Sequence, residues 1–158
     1  MNINLTLNGK SESREVELST TLLEFIRGEL GLKGTKSYCF SGICGACTIL
    51  LDGSAVSSCS VLAVQADGKR VTTVEGLAQN GELHPIQQAF VDNFGLQCGY
   101  CTPGMLLLTK SLLDENPDPS RDEIIRYMGG NICRCTGYAG ILASVEAAVK
   151  ARAGQGQA

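Results

Sequence analysis

Three cysteines fall within nine positions in the stretch SYCFSGICGACTILLDG, residues 37–53, separated by little besides glycine, alanine and serine. With Cys59 further on, Cys39, Cys44 and Cys47 give C-x4-C-x2-C and a distant fourth thiol, the plant-type spacing for a [2Fe-2S] cluster. The chemistry accounts for the small neighbours. Four thiolates must converge on two irons, so Gly42 and Gly45 permit a tight or positive-φ backbone and Ala46 avoids a clash. Backbone N–H groups in such a loop can point at the sulfurs and favour the reduced state. A structural zinc site is the bland alternative, but zinc usually takes paired short spacings.

A second set, Cys98, Cys101, Cys133 and Cys135, forms C-x2-C and C-x-C pairs, and by itself it is more ambiguous. The run CGYC opening a helix resembles a thioredoxin-like dithiol, yet the residues before it read as a helix ending at 93–95, not as a strand. Zinc is a further possibility. Both pairs lie where expected helices start, and helix dipoles and free amides there would stabilise a negatively charged thiolate cluster, so a second iron–sulfur centre fits well.

Positioning these residues requires two kinds of scaffold. Residues 2–8 alternate with period two, GKSESR is expected to turn the chain, and EVELS, residues 15–19, alternates again as the return strand. TLLEFIRGEL has helical spacing, with Thr21 and Glu24 as a capping box. CTILLDG and SAVSSCSVLAVQA read as two strands joined at Asp52-Gly53, which would bring Cys59 in from a neighbouring strand, and KRVTTVEG adds one more. Two strands, a helix and further strands suggest a β-grasp arrangement. From Leu77 onward four segments carry a 3.6-residue apolar period. Pro85 and Pro103 suit first helical positions, Ser120 with Glu123 a capping box, and Gly129-Gly130 a C-terminal stop. His84, the only histidine, reads as a helix-start residue and not as a metal ligand, while Met105 to Leu108 read as core. The composition shift across 76–83 divides the chain into 1–76 and 77–158, and AGQGQA at the end is expected to fray.

Composition narrows the function classes. The chain has 158 residues, 44% hydrophobic and 18% charged, with no apolar run long enough for a membrane span. Its net charge is −3 and its thirteen basic residues are scattered, giving nucleic-acid binding little support. Loading two clusters would bring the charge to about −7. The first residues show no secretory signal, so a cytoplasmic location is expected, where eight cysteines argue for metal or catalytic use and not for disulfides. There is no P-loop and no dinucleotide fingerprint, so neither a flavin site nor a substrate site is expected on this chain.

Taken together, GLKGTKSYCFSGICGACTILLDG, CSVLAVQADGKRVTTVEGLA, QCGYCTPGMLLL and GNICRCTGYAGI resemble the small iron–sulfur subunit of the molybdenum hydroxylases, the xanthine oxidase family, over nearly the whole chain. The resemblance implies an α+β fold: an N-terminal plant-ferredoxin-like β-grasp domain holding one [2Fe-2S] cluster on Cys39, Cys44, Cys47 and Cys59, then a C-terminal four-helix domain holding another on Cys98, Cys101, Cys133 and Cys135. It further implies that Gln97 and Cys135 approach a molybdopterin-type molybdenum cofactor on a large subunit. The ferredoxin-like cluster would lie nearer FAD on a medium subunit, in a heterotrimer that itself dimerises. The implied function is one-electron relay from molybdenum through both clusters to FAD. Where relatives commonly have Gly-Cys, this chain has Tyr38-Cys39 followed by Phe40, and both aromatics are expected to pack on a partner. A free-standing two-cluster ferredoxin and a zinc-binding interaction module are the competing readings.

Overall fold

The computed structural model describes residues 1–155. β1 (Asn2–Leu7) and β2 (Lys10–Glu15) pair antiparallel, from Asn2 opposite Glu15 to Leu7 opposite Lys10. The turn between them is Asn8-Gly9, with φ of 49° and 82°, a two-residue geometry whose twist matches the flanking strands. The expected turn over 9–14 and return strand over 15–19 are therefore corrected. The return strand is the polar run KSESRE at the sheet edge, exposed along most of its length, so no apolar alternation marks it.

α1 (Leu22–Glu24) opens with the expected capping box: the Glu24 N–H donates to Thr21 Oγ1 at 3.2 Å, and the Thr21 N–H donates to the Glu24 carboxylate at 2.9 Å. Only this turn is α-helical. Over Phe25–Glu29 the helix widens, with the Leu30 N–H donating to the Phe25 carbonyl at 3.1 Å, and both Phe25 and Ile26 are wholly buried.

β3 (Thr48–Leu51) and β4 (Ser54–Ser57) are joined at Asp52-Gly53, as the sequence suggested, with φ of 52° and 94°. β4 is shorter than expected: from Ser58 to Ser60 the chain makes a single 3-10 turn, so Cys59 sits on a turn just beyond the strand and not on the strand itself. With β5 (Arg70–Thr72) the sheet order is β2-β1-β5-β3-β4, where β1 and β5 run parallel and the other pairs antiparallel.

Helices α2 (Pro85–Asp92), α3 (Thr102–Glu115), α4 (Arg121–Met128) and α5 (Ala139–Gln155) complete the fold. His84 caps α2, its Nδ1 accepting the Ile86 N–H at 3.2 Å, and Pro85 is the first helical residue. Pro103 is the second residue of α3, one later than expected. The Ser120–Glu123 capping box forms. Gly129 ends α4 but stays right-handed at φ −62°, so the stop comes from short-range bonds, Gly130 N–H to the Tyr127 carbonyl at 3.1 Å and Asn131 N–H to that of Met128 at 3.2 Å. Of the tail expected to fray, 153–155 are helical in α5 and 156–158 lie outside the described residues. Among the described residues no helix is long and apolar enough to cross a membrane.

The outcome is the expected α+β architecture, a β-grasp followed by four helices. Two apolar cores meet at β3, because alternate side chains of a strand point to opposite faces. Ile49 joins Ile3, Leu5, Phe25 and Val71 on one side, while Leu50, 2% exposed, joins the helical core around Met105, Leu107 and Ile141 on the other. The contact is sealed by polar bonds: the Ala55 N–H donates to Ser111 Oγ at 3.1 Å, and Tyr127 donates to the same hydroxyl at 3.0 Å.

Candidate metal centres

The first set is built by a loop and one turn. Between Cys39 and Cys47 the backbone takes left-handed φ at Phe40 (54°), Gly42 (74°) and Gly45 (70°), which curls the loop back on itself. Ser41 and Cys44 donate their N–H groups to Cys39 Sγ, each at 3.4 Å. The Ser41 side chain first, and then these two amide bonds, pull the Cys39 thiol down to about 5. Cys59 is brought in by its 3-10 turn, where Ser58 donates its hydroxyl to the Cys47 carbonyl at 2.7 Å and its N–H at 3.3 Å. A Cβ on Gly42 would lie 2.7 Å from Ser60 Oγ, so glycine there also lets the turn approach. Burial, and then the neighbouring Cys59 sulfur, push the Cys47 thiol up.

The second set lines a mainly apolar cavity of about 360 Å³, into which Cys98, Cys101, Cys133 and Cys135 all reach, together with Cys44 and Ala46 of the first loop. Cys98 and Cys101 are placed by the turn leading into α3, Cys133 and Cys135 by the segment leading to α5. Cys135 donates to Cys98 Sγ at 3.5 Å, and this shared proton raises the Cys135 thiol. The Cys101 thiol is pushed up to about 12, first by burial and then by Cys133 and Cys98. Cys133 goes the other way. Burial opposes its ionisation, but the Thr136 hydroxyl, 3.2 Å from its sulfur, and nearby amides together outweigh it.

Among the described residues no three metal-ligating side chains converge on the position of one ion. The thiols come in twos instead: Cys47 with Cys59, Cys98 with Cys135, Cys101 with Cys133. Two thiolates on each of two irons is what a four-cysteine [2Fe-2S] cluster asks of its protein, and cationic irons would offset the burial and the neighbouring sulfurs that hold several of these thiols protonated. The residues present fit the group.

The two sets abut. Ile132 donates its N–H to the Cys44 carbonyl at 2.9 Å, and the Tyr100 hydroxyl reaches the Ser37 carbonyl at 2.5 Å. Gly45 faces this seam: a Cβ there would lie 2.5 Å from the Gly130 carbonyl and 2.8 Å from Asn131 Cα. Asn131 is fully buried with neither side-chain amide atom bonded within the protein. Gln97 is exposed beside Cys98, and Cys135 is exposed at the cavity mouth. Tyr38 (77% exposed) and Phe40 (63%), with Ile43 and Ile132, expose apolar surface around the two sets. Tyr100, Asn131 and Tyr138 contribute to this region without having been marked by the cysteine spacing; the one signal for Tyr100 was its place inside CGYC.

Residues 5–78 match the family described as the 2Fe-2S iron-sulfur cluster binding domain, and residues 73–146 match the [2Fe-2S] binding domain. The chain is 48% identical to the nicotinate dehydrogenase small FeS subunit of Eubacterium barkeri over 94% of each chain. It is 48% identical to the caffeine dehydrogenase subunit gamma of a Pseudomonas species, over 91% of this chain and 88% of that one. Among solved structures it is similar to a chain of quinoline 2-oxidoreductase from Pseudomonas putida 86, with a TM-score of 0.92 and 47% identity over 97% of this chain and 96% of that one. It also resembles the aldehyde oxidoreductase of Desulfovibrio gigas, with a TM-score of 0.94 and 39% identity, covering 98% of this chain but 17% of that one.

Proposed function

Because this chain belongs to the small iron–sulfur subunits of the molybdenum hydroxylase family, oxidoreductase subunits with an electron-transfer role, we propose that it relays electrons from a molybdopterin-type cofactor on a large subunit to FAD on a medium subunit. Cys39, Cys44, Cys47 and Cys59 hold one [2Fe-2S] group, and Cys98, Cys101, Cys133 and Cys135 the other. Gln97 and Cys135 face the molybdopterin, and the first set faces FAD. The chain divides functionally at 76/77, and it works in the cytoplasm within a dimer of heterotrimers.

When bound, each [2Fe-2S] group supplies a store for one electron. The polypeptide supplies the rest. The Ser41 and Cys44 amides bond the Cys39 sulfur and favour the more negative state. The buried faces of Cys44, Cys47 and Cys133 limit water, and the glycines of the first loop let the two sets sit against each other. The observation that carries the reading is the Ile132–Cys44 hydrogen bond at 2.9 Å, which joins a backbone segment of one thiol set directly to the other.

Purifying the native assembly tests the proposal. The expected result is co-purification with a molybdenum-containing and an FAD-containing subunit, and an absorption spectrum with iron–sulfur and flavin bands. A chain that purifies alone and passes electrons without partners, or one that is colourless and holds zinc, would contradict it.

A further inference from the structure

The hydroxyl of Tyr138 lies in the middle of a chain of hydrogen bonds that runs from one candidate ligand to the other. Cys133 donates its backbone N–H to Tyr138 Oη at 3.0 Å, and Tyr138 donates its proton to the Asn131 carbonyl at 3.0 Å. That carbonyl belongs to the same peptide unit as the Ile132 N–H, which donates to the Cys44 carbonyl at 2.9 Å. A peptide unit is planar, so fixing its oxygen fixes the direction of its hydrogen. Bonds in such a series also polarise one another. Tyr138 is itself held firmly in an uncommon backbone conformation, φ 67°, by its N–H to Thr136 Oγ1 at 3.1 Å and by its ring packing against the helical core.

We propose that Tyr138 is a positioning residue for electron passage between the two centres, its hydroxyl orienting the Asn131–Ile132 peptide so that the Ile132 N–H meets the Cys44 carbonyl. This rests on the electron-relay reading and adds to it a residue that ligates nothing. In the step it serves, one electron leaves a reduced centre, which is thereby oxidised, and reduces the other; no bond breaks and no proton need leave the chain.

The test is Tyr138→Phe in the intact assembly, which keeps the ring and removes both hydroxyl bonds. A photoexcited deazaflavin delivers one electron, and its redistribution between the two centres is followed spectroscopically, while deuterium exchange is read at the peptide containing Ile132. The expected result is two intact paramagnetic centres, a severalfold slower redistribution, and faster exchange at Ile132. An unchanged rate and unchanged exchange would overturn the inference and leave the relay reading standing, whereas a wild-type protein lacking two centres would remove both. If Tyr138→Phe loses a centre, fluorinated tyrosine at position 138 keeps the shape and alters only the hydroxyl: a changed rate supports the proposal, and an unchanged one overturns it.

Discussion

Cys39 and Cys101 mark the two extremes of the site, one thiol drawn down to about 5 by the Ser41 side chain and the loop amides and the other pushed up to about 12 by burial and its neighbours. The second comes from burying sulfurs and holding them closer than free thiolates tolerate, and a bound cluster is what makes that arrangement favourable. Removing one thiol should therefore delete one centre and spare the other. Cys47→Ser is expected to abolish one paramagnetic signal and Cys98→Ser the other, each lowering bound iron by about half; loss of both signals from either change would show that the sets are not independent. Gly45 offers a second test at this scale. Alanine at its φ of 70° costs about 1 to 3 kcal/mol in backbone strain, and its Cβ would lie 2.5 Å from the Gly130 carbonyl. Gly45→Ala should lower the melting temperature and disturb both centres, since the seam lies between them. The gathering of Cys98, Cys101, Cys133 and Cys135 around one cavity was legible because short cysteine spacing is a property of sequence. The hydrogen bonds of Tyr138 were not, because a tyrosine does not announce which backbone groups its hydroxyl will find.

At the scale of elements, the helix caps were readable because Thr21–Glu24 and Ser120–Glu123 bond across three residues, a local rule. The widened turn at Phe25–Glu29 was not, since the burial of both Phe25 and Ile26 depends on what packs above them. The first hairpin shows a different failure: Asn8-Gly9 is a turn signal in plain view, but the polar strand after it looks like loop. His84 provides a pH test. Its pKa is lowered, by burial first and then by Lys110 and Arg152, with Asp114 opposing. The folded state thus prefers neutral imidazole: the cap's contribution is complete above the unfolded value near 6.5 and is lost as pH falls through the lower folded value. Thermal melts of His84→Asn, which keeps a capping side chain, should show a shallower loss of stability below that pH than wild type; parallel profiles would contradict this. Leu50 gives the packing test, since Leu50→Ala should cost about 2 to 5 kcal/mol and loosen the helical half from the sheet, measurable by denaturant unfolding.

On the scale of the whole molecule, the chain places two thiol sets side by side and surrounds them with apolar surface that water would not favour. Tyr38, Phe40, Ile43 and Ile132 are exposed together near the sulfurs, as expected of a face that a partner subunit covers. Tyr38→Glu combined with Phe40→Glu should leave iron content unchanged and release the chain from the assembly in size-exclusion chromatography; retained assembly would show that the partner docks elsewhere. The fold class could be read from the sequence, whereas the exposed face could be anticipated only from the Tyr38 and Phe40 departures, because which apolar residues remain exposed is decided by the finished packing.

The central claim is that eight cysteines serve two separate two-iron groups. Stepwise reduction of anaerobically isolated assembly, followed by electron paramagnetic resonance with iron analysis of the same sample, tests it most directly. The account predicts about four irons per chain and two distinguishable signals, each integrating to one spin. A single signal, or a zinc-containing chain with no signal at all, would contradict it.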